Sequence, residues 1–202
     1  MIRLEEEKDY FEVENLTREA FWNVYRPGCF EHLVIHNLRK ENCFVEDLDY
    51  VLEEGGKIIA NIVYAKGVLT KDNEDKADIL LFGPVSVLPE YQGKGYGERI
   101  IEFTLKKAKE MGYPAVVITG NPAYYSRFGF ESASKYGIYY EGMDKKDEAP
   151  FFMVKILDKN REEELKGVYS DPECYFVDEK EVDIFDKKFP TKTKEVLPGQ
   201  LN

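Results

Sequence analysis

Leu80-Leu81-Phe82-Gly83-Pro84-Val85-Ser86-Val87, then Leu88-Pro89-Glu90-Tyr91, then Gln92-Gly93-Lys94-Gly95-Tyr96-Gly97 is the stretch whose reading decides the fold. The first eight residues end an apolar run that begins at Ala77, as a central strand covered on both faces would. After Gly97 the apolar residues take a helical period. Ile100, Ile101, Leu105, Ala108 and Met111 share one side, while Glu98, Glu102, Lys106, Lys107 and Glu110 fall mostly elsewhere. Gly112 and Pro114 end that helix. The order is therefore strand, turn, glycine-rich loop, helix N-terminus. Glycine lets the backbone enter conformations closed to other residues and lets a ligand come close. The first amides of a helix have no partner within it, and the helix dipole adds partial positive charge there. Together they form a seat for a phosphate or pyrophosphate.

Two familiar phosphate loops do not fit. A P-loop needs a hydroxyl after its lysine, and Lys94 is followed by Gly95. In a dinucleotide fingerprint the third glycine would come one residue later, and an acidic residue would stand at a following strand tip.

Outward from the loop, the chain alternates elements throughout, without repeats or low-complexity tracts. Residues 2–4 read as a short strand. Asp9 is placed to cap a helix to about residue 21, with Phe11, Val13, Leu16, Ala20 and Phe21 as its apolar positions. Arg26-Pro27-Gly28 breaks it, and a second helix is expected over 31–40. Strands follow at 48–53 and 57–68, with Glu54-Gly55-Gly56 as a hairpin turn. Past the glycine loop and its helix, 115–119 is another buried strand, 123–127 a short helix, and Phe128-Gly129-Phe130 opens a further strand. The last strand is expected at 151–157. Residues 1–157 thus form one domain, and 158–202 an acidic extension anchored on it by Tyr169, Tyr175, Phe176, Phe185 and Phe189.

The 202 residues carry a formal net charge of -11, which disfavours nucleic acid and anionic membranes as partners. The acidic N-terminus has no apolar run behind it, so it does not read as a signal peptide. No stretch reaches the roughly 18 apolar residues of a membrane span. Cys29, Cys43 and Cys174 are odd in number and widely spaced, which argues against a disulfide framework. A reducing, cytoplasmic setting is the expectation.

In these residues the chain resembles the GNAT superfamily of acyl-CoA-dependent N-acetyltransferases. Gln92, Gly95 and Gly97 follow its Gln/Arg-x-x-Gly-x-Gly/Ala signature, and Val87-Leu88-Pro89 leads into it. Downstream, Tyr125 precedes the Gly129-Phe130 pair by four residues. The run from Gly120-Asn121-Pro122 to Phe130 is similar to a bacterial branch of these enzymes. The resemblance spans about 1–157. It implies an α/β fold with a mixed, mostly antiparallel central sheet flanked by helices and splayed between the fourth and fifth strands. It also implies acetyl-CoA as cosubstrate. The cofactor arm would lie along the backbone of Val85, Ser86 and Val87. The pyrophosphate would sit on the amides of Gln92, Gly93, Lys94, Gly95, Tyr96 and Gly97. Asn121 would contact the arm, and Tyr125 would be the general acid. Many members dimerise, so the resemblance leaves room for a homodimer.

The implied chemistry is direct acetyl transfer to a primary amine, on a small molecule or a peptide, in a ternary complex. An amide near Val87 would stabilise the oxyanion. A phenol of reference pKa about 10 suits protonation of a leaving thiolate. The strand 115–119 carries no carboxylate, so the base is sought at Glu31 or His32, between the first two helices. His32 and His36 stand four apart, but Leu33 occupies the position of a metalloprotease glutamate and no third ligand is evident, so no metal site is expected. A non-catalytic acyl-CoA binding or sensing module is the alternative reading, and an assembly role for the acidic tail is a third.

Overall fold

The segment Lys57–Thr70 forms the longest strand among the described residues, of 14 residues. A computed structural model describes residues 1–201. In chain order the elements are β1 (Ile2–Leu4), α1 (Tyr10–Phe21), α2 (Glu31–Leu38), β2 (Tyr50–Glu54), β3 (Lys57–Thr70), β4 (Lys76–Val87) and α3 (Tyr96–Glu110). They continue with β5 (Ala115–Thr119), α4 (Pro122–Tyr125), β6 (Glu131–Ser132), β7 (Ile138–Tyr140), β8 (Phe152–Ile156), β9 (Gly167–Ser170) and α5 (Glu179–Asp186). The chain divides into two compact units, with β3, β4 and α3 continuing from one into the other.

The first unit holds residues 1–63, 84–101 and the segment from 173 onward. Here β1 pairs antiparallel with β2, and β2 with β3. Gly55 and Gly56 make the two-residue turn between β2 and β3. Both have positive φ (60° and 80°), as the twist-matching hairpin turn requires. Past the end of β4, the Leu88 amide donates to Ile59 O at 2.9 Å, alongside β3.

The inward face of α1 differs from the expected one. Phe11 is 56% exposed, its ring stacked on Phe189, while Glu14, Thr17 and Arg18 are buried beside Val13 and Leu16. Polar side chains face inward because each has a partner. Glu14 meets Arg39 at 3.0 Å and His36 at 2.8 Å, and Arg18 meets Asp186 at 2.6 Å and Pro190 O at 3.0 Å. Asp9 does not cap α1 with its side chain. Its carboxylate instead binds Arg3 and accepts from the Glu6 amide at 2.9 Å. The Asp49 carboxyl is pushed well above its ordinary range by burial and by a hydrogen bond with Glu5.

Leu33, Val182, Phe185 and Phe189 form a buried cluster that seats α5. Phe176, expected as an anchor, is 74% exposed. Cys43 and Cys174, remote in sequence, bring their free thiols within hydrogen-bonding reach. Burial, with Cys43 adjacent, pushes the Cys174 thiol up to about 12, so it stays protonated at neutral pH.

The second unit holds residues 64–83 and 102–172. Strand β5 pairs in parallel with β4 through Leu80↔Val116 and Leu81↔Val117. On its other side it pairs antiparallel with β8, from Ala115↔Ile156 to Thr119↔Phe152. A two-pair ladder is short for strands of 12 and 5 residues. Strand β9 pairs antiparallel with β3 and parallel with β7, so residues 167–170 of the expected extension supply a strand of the sheet. Phe128 and Gly129 do not open a strand. Phe128 ends a 3-10 turn, Gly129 takes φ 80°, and β6 is only the two residues that follow Phe130. Met111 lies past the end of α3 and is 42% exposed.

The architecture is α/β with a mixed, mostly antiparallel sheet and helices. No helix among the described residues is long and apolar enough to cross a membrane.

Candidate active site

In the first unit, β4 ends in alternation: Val85 and Val87 are half-buried and Ser86 is buried. Ser86 Oγ donates to Thr17 Oγ1 at 3.1 Å, and Thr17 reaches Asn61 Oδ1 at 3.3 Å. The Ser86 side chain therefore faces the core, and only its backbone is available to a ligand along the strand. A 3-10 turn, Pro89–Tyr91, leads into the loop. Gly93 and Gly95 then take φ 71° and 85°, the left-handed region that disfavours a side chain. A Cβ on either glycine would meet nothing within 4 Å, so space is not what excludes one.

The loop is fastened by its own side chains. Gln92 Nε2 donates to Val87 O at 3.0 Å, tying the loop back to the strand end. Lys94 Nζ donates to Glu90 O at 2.8 Å, and Lys57 pairs with Glu90 at 3.0 Å. The Tyr96 hydroxyl donates to Glu54, which pushes the phenol above its ordinary range. Helical bonding starts where Arg99 N donates to Gly95 O at 3.0 Å. Among the described residues, the backbone amides from Gly93 to Gly97 donate to no acceptor. Gly93, Lys94 and Gly95 are exposed. An anion placed there meets a row of donors at the positive end of a 15-residue helix.

Glu31 and His32, adjacent in sequence, have different surroundings. Glu31 opens α2, and its Oε2 accepts from the Phe30 amide at 3.0 Å and from the Cys29 thiol at 3.4 Å. Burial and Glu31 keep that thiol protonated. His32 is fully buried, its ring 5.2 Å from Phe185 and 5.4 Å from Phe189. Burial lowers its pKa to about 4, against the pull of Asp186, whose Oδ1 lies 3.2 Å from Nε2. His32 therefore sits in the core as a neutral imidazole, with no exposed surface. The His36 ring lies tilted against Phe185, with centroids 4.5 Å apart. Among the described residues, no group of three His, Cys, Asp or Glu side chains is arranged to hold a metal ion.

In the second unit, β5 runs into a tight turn. Asn121 caps α4, its Oδ1 accepting from the Ala123 amide at 3.0 Å, with Pro122 at the first helical position. The cap uses the Asn121 amide oxygen and not its amide nitrogen. One turn later Tyr125 is half-buried. Its ring packs against Phe82 (6.0 Å), Phe130 (6.0 Å), Phe128 (6.3 Å) and Tyr124 (4.9 Å). Tyr124 instead carries the Arg127 guanidinium over its face at 4.0 Å.

Sequence reasoning missed the buried Arg18–Asp186 pair and the closeness of Gly120 to Tyr125. The former had a faint signal, since Glu14, Thr17 and Arg18 share a helix side with Val13. The latter had none beyond the glycine itself.

The strand, the glycine loop and the helix N-terminus are those of an acetyltransferase with the GNAT fold. A family model described as an acetyltransferase (GNAT) domain matches residues 1–133, and the chain belongs to that family. It is similar to the uncharacterized N-acetyltransferase YhbS of Escherichia coli K12, 28% identical over 138 residues, which are 68% of this chain and 77% of that protein. The crystal structure of E. coli YhbS in complex with CoA aligns with a TM-score of 0.72 and 24% identity, over 87% of this chain and 91% of that one. A GNAT family acetyltransferase from Brucella melitensis in complex with acetyl-CoA aligns at 0.69 and 24%, over 87% and 97%.

Proposed function

We propose that this chain transfers the acetyl group of acetyl-CoA to a primary amine, by direct attack in a ternary complex. The observation that carries the proposal is the row of undonated amides from Gly93 to Gly97 at the start of α3, shaped by two glycines of positive φ. The structures of similar fold solved with CoA and with acetyl-CoA support the choice of ligand.

In this reading the amides of Gln92, Gly93, Lys94, Gly95, Tyr96 and Gly97 hold the pyrophosphate. The backbone of Val85, Ser86 and Val87 lines the arm, and the Val87 carbonyl keeps Gln92 as a partner. The Val87 amide faces the oxyanion as it develops. Asn121 borders the arm while capping α4. Tyr125 gives its proton to the leaving thiolate, and its aromatic surroundings hold the phenol in place. Glu31 is the remaining side-chain candidate for the base. The catalytic domain is 1–157. Residues 158–202 extend it, with Phe185 and Phe189 as anchors.

Titration calorimetry with acetyl-CoA, followed by turnover against a polyamine, an amino acid, an aminoglycoside and an N-terminal peptide, tests the proposal. We expect binding that CoA competes away, and an acetylated product from one of these amines. Absence of heat on folded protein overturns the seat, and binding without any acetylated amine overturns the transfer.

A further inference from the structure

Gly120 has no conformational reason to be glycine. It follows β5, its φ lies outside the left-handed region, and its amide donates to Phe151 O at 2.8 Å. Any residue could adopt that backbone. The obstacle is a neighbour: a Cβ at Gly120 would stand 2.5 Å from Cε2 and 3.1 Å from Cδ2 of Tyr125. Real Cβ atoms do not approach carbon so closely, so a side chain here drives the ring away. Phe82, Phe128 and Phe130 bound the ring elsewhere. Tyr125 is half-buried, and its ring is what a side chain at Gly120 would displace, and the phenolic oxygen with it.

We propose that Gly120 is a positioning residue for acetyl transfer: its missing side chain fixes where the Tyr125 hydroxyl stands. The proposal rests on Tyr125 being the general acid. Misplacing a reacting group by about 1 Å costs on the order of 100-fold in rate. Gly120→Ala moves the ring by a distance of that order and should act on kcat alone, since Gly120 is not part of the cofactor seat.

The test measures acetylated product by mass spectrometry, with acetyl-CoA and the amine turned over fastest in the panel above. Gly120→Ala is expected to lower kcat roughly 10- to 100-fold, with KM for acetyl-CoA changed less than about twofold. Adding Gly120→Ala to Tyr125→Phe should cost nothing further, because the oxygen being positioned is already gone. Wild-type kcat in Gly120→Ala, or full multiplicative loss in the double variant, overturns the positioning role. Wild-type kcat in Tyr125→Phe overturns the acid assignment, a separate outcome. If Gly120→Ala melts early, melting temperatures in a Tyr125→Ala background decide. Gly120→Ala should be neutral there, and an undiminished loss shows that the ring is not what the glycine serves.

Discussion

Two glycine-bearing turns follow two strands of this chain, and they use the residue for opposite reasons. After β4, Gly93 and Gly95 take φ of 71° and 85°, yet a Cβ on either would meet nothing within 4 Å. After β5, Gly120 has an ordinary φ, yet a Cβ there would stand 2.5 Å from the Tyr125 ring. The first turn spends its glycines on the backbone, aiming amides outward while leaving room for an anion. The second spends its glycine on space for one aromatic ring. Conformational and steric demands for the same residue thus predict different substitution patterns, and each can be probed alone.

The strongest probe is Gly95→Val. A β-branched side chain at φ 85° is strained by roughly 1–3 kcal/mol and projects into the volume an anion would occupy. Calorimetry with acetyl-CoA should register no heat from a protein that still folds, and normal binding would show that the loop is not the seat. Next comes Tyr125→Phe, which removes one oxygen and keeps the packing. It should lower kcat by about 100-fold or more while the dissociation constant for acetyl-CoA stays the same. Parallel loss of both would mark the residue as structural. Gln92→Met breaks the 3.0 Å bond to Val87 O and keeps the side-chain length. One hydrogen bond is worth about 1 kcal/mol, so cofactor affinity should weaken roughly fivefold with kcat preserved. An unchanged affinity would show that the loop holds its shape without the tether. The mildest change is Gly93→Asn, since Asn tolerates the left-handed region. It should bind acetyl-CoA within about threefold of wild type, and Gly93→Val should bind clearly worse. If the two are equally poor, the limit at Gly93 is space for the ligand, and the contrast with Gly120 weakens.

His32 adds a pH dependence. Its folded pKa, about 4, lies below the unfolded value of about 6.5. The unfolded chain therefore binds the extra proton first as pH falls. The penalty is absent above the unfolded value, grows as pH drops through that window, and is complete below about 4. His32→Phe should flatten the loss of melting temperature between pH 6.5 and 4, and an unaltered slope would assign it to other groups.

Within ten or so residues the sequence is an adequate guide here. The Gly55-Gly56 hairpin, the loop at Gly93 and Gly95, and the Asn121-Pro122 helix start depend on local φ preferences and caps, which neighbouring residue types settle. The face of α1 was misread because Glu14 and Arg18 look exposed until Arg39 and Asp186 supply their partners. His32 looked like a site residue because nothing near it in sequence announces that Phe185 and Phe189 cover it.

By itself, then, the sequence determined the order of elements as far as α4, the glycine loop at the head of α3 and the family. The first two follow from backbone geometry and short-range periodicity, and the family from the resemblance of its motifs. Tertiary structure alone decided that Cys43 meets Cys174, that β9 joins β3 and β7, that His32 is core, and that Gly120 makes room for Tyr125. Each of these is a contact whose partner or geometry only the folded chain supplies, and residue type does not encode a partner's address.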